Sequence, residues 1–269
     1  MQTAERRLAL ITGASAGIGA ALAREYAAHG YDLVLTARRL DRLDTLGAEL
    51  TGRHRITTHA IAADLADPAA PDALFAELGR RRLMVDALVN NAGYGVPGHY
   101  RRTQWADQAA FLQVLVTSVC HLSHLALPGM MERRFGRILN VASLAGLVPG
   151  SAGHTLYGAA KSFIIKFSQS LALEAMGQGV HVTALCPGFT YSEFHDVTGT
   201  RARMSQLPEF MWMTAEEVAR QGYAAVERGD VMHVTGGVNR GIARLAKLVP
   251  ERAALGLMAR GSRRFRAEE

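Results

Sequence analysis

The stretch Thr12-Gly13-Ala14-Ser15-Ala16-Gly17-Ile18-Gly19 follows the apolar run Leu8–Ile11 and leads into a helical pattern that starts at Gly17. The apolar run itself predicts a buried strand. Glycines at such a junction allow a tight turn and let a pyrophosphate approach the backbone, while the helix N-terminus offers free N–H groups. The stretch therefore predicts a phosphate-binding loop at Gly13, Ser15, Gly17, Ile18 and Gly19. Its spacing, G-x3-G-x-G, differs from the usual dinucleotide fingerprint, so a purely structural glycine-rich turn is the alternative.

The same alternation of strand and helix continues along the chain. Short apolar runs predict strands at Leu8–Thr12, Leu33–Ala37, Ile56–Ala63, Ala87–Asn90, Arg137–Ala142, His181–Cys186 and Val231–Thr235. Helical patterns lie between them at Gly17–His29, Asp41–Leu50, Pro71–Arg81, Gln104–Glu132, Tyr157–Met176 and Ala215–Arg228. This alternation implies right-handed crossovers and a parallel sheet covered on both faces. Residues 1–238 are therefore predicted to form a single doubly wound α/β domain of the Rossmann type.

The composition fits a globular protein rather than a disordered or fibrous one. The 269 residues are 49% hydrophobic and 20% charged, which leaves ample apolar chain to bury a core. The two cysteines are too few to stabilise a fold of this size by disulfides, and their spacing matches no zinc site. The N-terminus lacks the apolar segment of a signal peptide. The sequence therefore predicts a soluble, cytoplasmic protein without a metal site.

One long stretch, between Asp107 and Glu132, carries no charged residue and is long enough to span a bilayer. Its polar residues, which include Gln108, Gln113 and Pro128, are costly to place in lipid. We therefore expect a helix that is buried or that faces another subunit.

The end of the second predicted strand distinguishes between two dinucleotides. An NAD-binding domain places Asp or Glu about 20 residues after the glycine-rich loop, where the carboxylate holds the ribose 2′-hydroxyl. This chain has Arg38 and Arg39 there instead, and guanidinium groups bind a 2′-phosphate bidentately. The sequence therefore predicts NADP(H), with Arg38 as the main ligand and Arg39 as a helper. The alternative, a solvated pair of arginines, is disfavoured by the dipole of the helix that starts there.

Two further turns are expected on the same cleft. Asp64 follows the third strand, and its carboxylate either accepts from the adenine amino group or caps a turn. Asn91, Ala92 and Gly93 follow the fourth strand as a polar, flexible turn. Open parallel sheets bind ligands beyond the carboxyl ends of their strands, so these residues are expected to face the cofactor.

Tyr157 and Lys161 are the strongest candidates for chemistry. They lie four residues apart on a predicted helix and therefore share one face. A nearby ammonium stabilises a phenolate, and lowering the pKa of a phenol by about 3 units requires about 4 kcal/mol. Lys161 and a cationic nicotinamide are expected to supply this stabilisation together. Ser143, at the end of the fifth strand, is expected to hydrogen-bond a carbonyl oxygen as that oxygen gains charge.

In combination, these motifs resemble those of the short-chain dehydrogenase/reductase family. The resemblance covers about residues 5–238 and rests on Thr12–Gly19, Asn91-Ala92-Gly93, Ser143, Tyr157-x3-Lys161 and Pro187-Gly188. It implies a seven-stranded parallel sheet and a nicotinamide cofactor. It also implies Tyr157 as general acid/base, Ser143 as the residue that orients the substrate, and Lys161 as a ribose ligand that tunes the phenol. Pro187, Gly188 and Thr190 are implied to flank the nicotinamide.

The chain departs from the family pattern in two places. Members commonly carry an Asn in the helix before the fifth strand, where it holds a water that relays protons to the Lys, and Leu115 occupies that position here. Because leucine neither donates nor accepts a hydrogen bond, the relay must be altered. The step from Ser143 to Tyr157 is also one residue longer than the family pattern.

Residues 189–214 form a long predicted lid with many apolar side chains. These are Phe189, Tyr191, Phe194, Met204, Leu207, Phe210, Met211, Trp212 and Met213. They predict a pocket for a hydrophobic carbonyl compound or alcohol, the alternative being that they only pack the lid down. The stretch 108–131 and the helix Tyr157–Met176 resemble the helices that pair subunits in this family, which implies a homodimer or homotetramer.

The C-terminal segment 239–269 carries most of the net charge of +6. Its eight basic and three acidic residues give +5, and residues 1–238 carry the remaining +1. Ile242, Leu245, Leu248 and Val249 recur at helical spacing, so we predict a basic amphipathic extension. One interpretation is weak contact with an anionic membrane surface or a lipid substrate. The other, favoured by the family resemblance, is docking over the active site or on a neighbouring subunit. Nucleic acid is not expected as a partner, because no motif indicates it.

The sequence thus predicts an NADP(H)-dependent oxidoreductase that interconverts a carbonyl and a secondary alcohol on a hydrophobic small molecule. Hydride is exchanged at the nicotinamide, and Tyr157 gives or takes the proton. The NADP preference favours the reductive direction. The alternative is a non-catalytic NADP-binding regulatory or scaffold protein, in which Leu115 marks the loss of chemistry.

Overall fold

The computed structural model describes residues 6–153, 155–191, 208–250 and 252–256 of the chain. Its strands are β1 Leu8–Thr12, β2 Asp32–Ala37, β3 Thr58–Ala62, β4 Ala87–Asn90, β5 Gly136–Val141, β6 Val180–Cys186, β7 Phe189–Tyr191, β8 Trp212–Thr214 and β9 Met232–Val234. Seven of them form a parallel sheet in the order β3-β2-β1-β4-β5-β6-β9. The direction of winding reverses between β1 and β4, which opens a crevice at the carboxyl ends of these strands. The predicted doubly wound fold with seven parallel strands is confirmed.

Helices cover both faces of this sheet. They are α1 Gly17–Ala28, α2 Leu40–His54, α3 Ala70–Arg80, α4 Trp105–Leu112, α5 Ser118–Glu132, α6 Thr155–Glu174, α7 Ala215–Arg228 and α8 Gly237–Leu248. One core lies between the sheet and α1, α2 and α7, and a second lies between the opposite face and α3 to α6. Since both faces are buried, the strands carry near-continuous apolar sequences rather than alternating ones.

Most predicted helix ends lie within two residues of the observed ones, as at Thr155–Glu174 against the predicted Tyr157–Met176, but two helix predictions differ by more. The helix predicted to end at Leu50 runs on to His54, because the last turn is polar and exposed and therefore lacks the apolar periodicity that marks a helix. The helix predicted to span Gln104–Glu132 is interrupted by a π turn at Gln113–Thr117. A π turn inserts one residue, and here the neighbouring residues Val114 and Leu115 are both buried.

The helical stretch Trp105–Glu132, which is uncharged between Asp107 and Glu132, is apolar and long enough to cross a membrane by length and composition. Its Phe111, Leu122 and Met130 side chains instead pack in the core against the sheet. This stretch therefore contributes to the core of the domain, in line with the expectation of a buried helix.

A chain of polar side chains crosses the buried centre of the sheet. Asn90 on β4 and Asn140 on β5 are register partners, and Asn90 Nδ2 donates to Asn140 Oδ1 at 2.8 Å. Asn90 Nδ2 also donates to Ser123 Oγ on α5, and Asn140 Nδ2 donates to Ser168 Oγ on α6. This polar network ties α5 and α6 to the two central strands.

The predicted lid begins and ends in a short two-stranded ribbon. β7 pairs in parallel with β8, and Tyr191 stacks on Trp212 with ring centroids 4.8 Å apart. Strands of three residues are too short to show a periodic pattern, so the sequence did not indicate them. The lid residues Phe194, Met204 and Leu207 lie outside the described residues.

The amphipathic extension predicted for residues 239–269 begins as helix α8. The predicted boundary between residues 238 and 239 falls in the first turn of this helix. Asn239 and Ala243 on its inner side are buried, and Ala243 joins a small core cluster with Cys186 and Val234. The inner side of α8 is therefore packed on the main domain.

Candidate active site

The glycine-rich loop between β1 and α1 has the close backbone packing that its sequence predicts. Gly13 has a φ of +65°, and a Cβ on Gly19 would lie 2.2 Å from the Gly13 carbonyl oxygen. Only glycine fits at these two positions. Ala16 precedes α1 and has no side chain that can cap it, so the loop leaves the helix N-terminus open to a phosphate.

Thr12 and Asn91 lock this loop against the turn after β4. Thr12 Oγ1 donates to the Val89 carbonyl and accepts from the backbone N–H groups of Asn91 and Ala92. Asn91 Nδ2 donates in turn to the Thr12 carbonyl at 3.0 Å. The structure thus brings Asn91-Ala92-Gly93 to the loop, as predicted. The role of Thr12 was missed, although a threonine at the end of a buried strand was a signal for it.

The two arginines after β2 lie at the start of α2. Arg39 Nη2 donates to Ser15 Oγ at 3.1 Å, which connects it to the phosphate-binding loop. Arg38 is exposed and close enough to Tyr94 to affect the pKa of this phenol. Burial raises the pKa of Tyr94, and the positive charge of Arg38 opposes the rise. Arg38, Arg39 and Ser15 therefore surround one end of the crevice.

Asp64 lies near the same place and has an observed structural role. Its carboxylate Oδ1 accepts from the Ala66 N–H at 3.0 Å, and its negative charge contributes to the raised pKa of Tyr94. The turn role that the sequence left open is therefore present. Hydrogen bonding of Asp64 to an adenine remains a prediction.

Tyr157, Lys161 and Ser143 come together at the carboxyl end of β5. Ser143 caps a short 3-10 turn, Leu144–Gly146, and its Oγ accepts from the Ala145 N–H at 3.1 Å. The Ser143 and Tyr157 hydroxyls are hydrogen-bonded to each other. Lys161 Nζ lies 5.8 Å from the centroid of the Tyr157 ring. The three predicted catalytic side chains are thus adjacent.

Lys161 is a buried charge at this site. Its Nζ donates to the Val141 carbonyl at 2.7 Å. Burial lowers the pKa of Lys161 from 10.5 to about 8. Near neutral pH the side chain is therefore still largely an ammonium.

Cys186, to which the sequence gave no role, touches two of these groups. Burial raises the pKa of its thiol to about 12, while Lys161 and a hydrogen bond from the Ser143 backbone N–H act in the opposite direction. The thiol is therefore neutral at physiological pH, and its sulfur packs against the backbone that positions Ser143.

The sequence predicted a lowered pKa for Tyr157 with Lys161 and a nicotinamide beside it. Without a cofactor, the pKa of Tyr157 is raised instead. Burial raises the pKa of Tyr157 above its ordinary value of 10, and the hydrogen bond from Ser143 only partly opposes this. Lys161 Nζ is engaged by the Val141 carbonyl and lies beside the ring rather than at the hydroxyl. Tyr157 is therefore a protonated phenol at neutral pH.

Pro187, Gly188 and Thr190 lie beside the catalytic side chains. The Leu144 N–H donates to the Pro187 carbonyl at 2.8 Å, and the buried Thr190 Oγ1 donates to the Gly188 carbonyl. A Cβ on Gly188 would lie 2.4 Å from the side chain of Asn239, the buried residue of α8. Asn239 thus supports the segment predicted to flank the nicotinamide, and sequence reasoning had assigned it only to the extension.

Leu115 is buried in the π turn, with 1% of its surface exposed. Its Cδ1 lies 3.6 Å from the position that a Cβ on Gly93 would take. An apolar side chain therefore occupies the position where the family pattern has a polar one. Within the described residues, no group of three or more His, Cys, Asp or Glu side chains is placed to hold a metal ion.

The crevice fits a dinucleotide with a 2′-phosphate. It offers an open helix N-terminus at one point, the guanidinium groups of Arg38 and Arg39 at another, and Tyr157 with Lys161 at the far end. Each of these groups matches one part of such a molecule: the pyrophosphate, the 2′-phosphate and the nicotinamide ribose.

Known proteins share both the sequence and the fold. A model described as short chain dehydrogenase matches residues 7–202. A sulfoacetaldehyde reductase from Chromohalobacter salexigens is 39% identical over 216 residues, which cover 78% of this chain and 84% of that protein. A short-chain dehydrogenase from Sphingobium yanoikuyae, solved in complex with NADPH, is 32% identical with a TM-score of 0.81 over 94% of both chains. A bulky-bulky ketone specific alcohol dehydrogenase from Comamonas testosteroni is 28% identical with a TM-score of 0.75, over 94% of this chain and 93% of that one.

Proposed function

This chain belongs to the short-chain dehydrogenase family, and from that premise we propose that it interconverts a carbonyl compound and a secondary alcohol with Tyr157 as general acid/base. It is an oxidoreductase that acts on CH–OH groups and uses NADP(H). The observation that carries the proposed mechanism is the adjacency of Tyr157, Ser143 and Lys161 at the carboxyl end of β5.

In the proposed reaction, the chain's own residues handle the oxygen and its proton. NADP(H), when bound, supplies or accepts the hydride. Ser143 holds the carbonyl oxygen by a hydrogen bond as negative charge develops on it. Tyr157 donates its phenolic proton to this oxygen, and the positive charge of Lys161 stabilises the resulting phenolate.

The reductive direction is supported by the protonation state of Tyr157. Because burial raises its pKa above 10, the phenol carries its proton at neutral pH and is ready to act as an acid. The oxidative direction requires a base, and therefore requires the phenol to lose its proton first. The protonated phenol is thus the form of Tyr157 that the reductive reaction requires.

Arg38, with Arg39 beside it, is the proposed ligand of the 2′-phosphate. Arg38 is exposed at the crevice, and Arg39 is oriented toward the phosphate-binding loop by its bond to Ser15. Two guanidinium groups favour NADP(H) over NAD(H), since an acid is absent from this position.

We propose a hydrophobic substrate. The ribbon β7–β8 follows directly from the Pro187-Gly188 segment and presents Tyr191, Trp212 and Phe189. Aromatic side chains on the segment that follows Pro187-Gly188 favour a large apolar carbonyl compound. The similarity to a bulky-bulky ketone specific alcohol dehydrogenase supports this substrate class, whereas the sulfoacetaldehyde reductase is named for a small anionic aldehyde.

Tyr157→Phe tests the mechanism, because it removes only the phenolic hydroxyl. Turnover of NADPH with a panel of apolar ketones and aldehydes is expected to fall by about 100-fold or more, while NADPH binding by fluorescence titration is retained. Tyr223→Phe is the matched control, since Tyr223 stacks on His29, just after α1, and packs in the core on the opposite face of the sheet from Tyr157. It should leave turnover unchanged.

The same experiment distinguishes the non-catalytic alternative. If the wild-type protein binds NADPH but turns over no member of the panel, and Tyr157→Phe behaves identically, the chain is a binding protein and the proposed reaction is wrong. A wild-type rate that survives Tyr157→Phe would instead show that another group handles the proton.

We further propose that the protein is a cytoplasmic homodimer or homotetramer assembled through α5 and α6. Phe163 and Leu173 on α6 are exposed, and so is Met176 just after the helix; Leu173 is 65% exposed. Several large exposed apolar residues along one helix are expected to be covered by another subunit. The long uncharged stretch that contains α5 supports the same interpretation.

A further inference from the structure

Helix α8 has three sides with different chemistry. Asn239 and Ala243 are buried against the domain. The two outer sides follow from the helical spacing: Val238, Leu245 and Leu248 share one stripe, and Arg240, Arg244 and Lys247 share another. The helix is therefore fixed to the body on one side and amphipathic toward the outside.

The apolar stripe is unusually open for a helix of a folded domain. Leu245 is 61% exposed and Leu248 is 80% exposed. Leu255 continues the exposed apolar surface beyond the helix, and Phe210, on the neighbouring turn Glu209–Met211, is 69% exposed. Large exposed apolar side chains thus occur on α8, on the turn that contacts it and on the segment that follows it.

The basic stripe lies directly beside this apolar one. All three of its residues are exposed, as is Arg252 just after the helix. Helix α8 contains no acidic residue, so the charges of Arg240, Arg244 and Lys247 have no opposite charge within the helix. The described part of the C-terminal segment therefore presents a basic surface at α8.

This surface also lies next to the candidate active site. Asn239, on the inner side of α8, contacts Gly188, and α8 contacts the turn that leads into β8. Whatever binds the outer side of α8 therefore lies close to the segment predicted to flank the nicotinamide.

We propose that the outer surface of α8, together with Phe210 and Leu255, binds an anionic lipid bilayer. Exposed leucines beside a row of Lys and Arg are the combination that holds a helix in the headgroup region of such a membrane. A second copy of the chain fits less well, because a two-fold contact would bring the same basic stripes together. The protein remains a soluble, peripheral binder, since α8 is too short to span a bilayer.

The test is sedimentation of the full-length protein with phosphatidylcholine vesicles, with and without phosphatidylglycerol. One double variant, Arg244→Glu with Lys247→Glu, reverses the basic stripe, and another, Leu245→Asp with Leu248→Asp, removes the apolar one. The control, Arg53→Glu with Arg220→Glu, makes the same charge change at exposed positions on α2 and α7. Circular dichroism and gel filtration verify that each variant is folded.

Wild type and control are expected to bind the anionic vesicles and to dissociate from them in high salt. Neither should bind vesicles of phosphatidylcholine alone. Both α8 variants should bind the anionic vesicles at least about tenfold more weakly than the wild type. Equal sedimentation of the α8 variants and the control would overturn the proposal, as would wild-type protein that ignores anionic vesicles. If the α8 variants instead change the oligomeric mass while the wild type binds no vesicles, the surface joins copies of the chain and the lipid proposal is wrong. None of these outcomes depends on turnover, so they are independent of the proposed reaction.

Discussion

Lys161 destabilises the folded state by its buried charge, and the proposed reaction uses the same charge. Its pKa is lowered from 10.5 to about 8 by burial, so the folded state disfavours the charge that the proposed chemistry needs. Between about pH 8 and 10.5 the unfolded chain holds a proton that the folded chain has lost, and stability contributed by this residue therefore rises with pH in that window. Below pH 8 Lys161 is charged in both states, and burial of its ammonium lowers the free energy of unfolding by the full amount.

Lys161→Met is accordingly expected to stabilise the protein at pH 7 while it abolishes turnover. The shift corresponds to about 3.4 kcal/mol, of which about 1 kcal/mol is offset by loss of the bond to the Val141 carbonyl, leaving a gain of about 2 kcal/mol. Denaturant unfolding at pH 7 and pH 9.5 measures it, and the gain should shrink at the higher pH. Lys166→Met, at an exposed position on the same helix, should change neither quantity. If Lys161→Met instead lowers the free energy of unfolding, the buried ammonium does not destabilise the folded state.

Leu115 offers a second prediction about one side chain. Leu115→Asn returns a polar group to the π turn, and we expect a higher turnover number because the proton relay regains a partner. The free energy of unfolding should fall by about 2 kcal/mol, since an amide replaces a buried leucine. Leu115→Ala is the control, because it loses the packing without gaining the amide. If the folded Asn variant is no faster than the Ala variant, the relay does not pass through this position.

At the scale of single residues, the sequence predicted which side chains meet but not how they titrate. Tyr157, Ser143 and Lys161 were predicted from their spacing and their strand and helix positions, and the structure brings them together. The pKa values of Tyr157 and Lys161 are set mainly by burial, and that of Tyr157 also by its hydrogen bond with Ser143. Both depend on residues distant in sequence, such as Val141, so no local pattern contains them.

Among the elements, the loop between β1 and α1 depends most strictly on residue size. Gly19→Ala would place a methyl group 2.2 Å from the Gly13 carbonyl oxygen and 2.4 Å from Asn91 Nδ2. We expect a loss of about 1–3 kcal/mol from overpacking and weaker NADPH binding, measured by chemical unfolding and fluorescence titration. Gly52→Ala in α2 meets no atom within 4 Å and should stabilise the protein by about 0.5–1 kcal/mol. Equal behaviour of the two variants would contradict the predicted tight loop.

The strands and helices of the main sheet were predictable because each is long enough to bury a recognisable apolar face. The π turn was not, since the sequence Gln113–Thr117 carries no pattern that distinguishes a π turn from the α-helix around it. The ribbon β7–β8 was also missed, because its strands of three residues depend on stacking between Tyr191 and Trp212. The docking of α8 depends on Asn239 meeting Gly188, a contact between residues far apart in sequence.

On the scale of the whole molecule, assembly is the main prediction. Phe163→Glu with Leu173→Glu puts two charges at exposed positions of α6, and we expect the oligomer to dissociate into monomers in light scattering coupled to gel filtration. Met84→Glu is the control, since Met84 is a similarly exposed apolar residue outside α5 and α6. A wild-type protein that is itself monomeric, or a double variant that keeps its mass, would exclude this interface.

The polar network at the centre of the sheet has a consequence for how the chain finds its fold. Side chains alternate between the two faces of a strand, so a slip of β5 by one residue against β4 would turn Asn140 away from Asn90. Each buried asparagine amide left without its hydrogen-bond partner would then destabilise the fold by about 1–3 kcal/mol. Apolar strands such as these can pair in more than one register, and the asparagine pair therefore favours the native register of β4 and β5 over a slip by one residue.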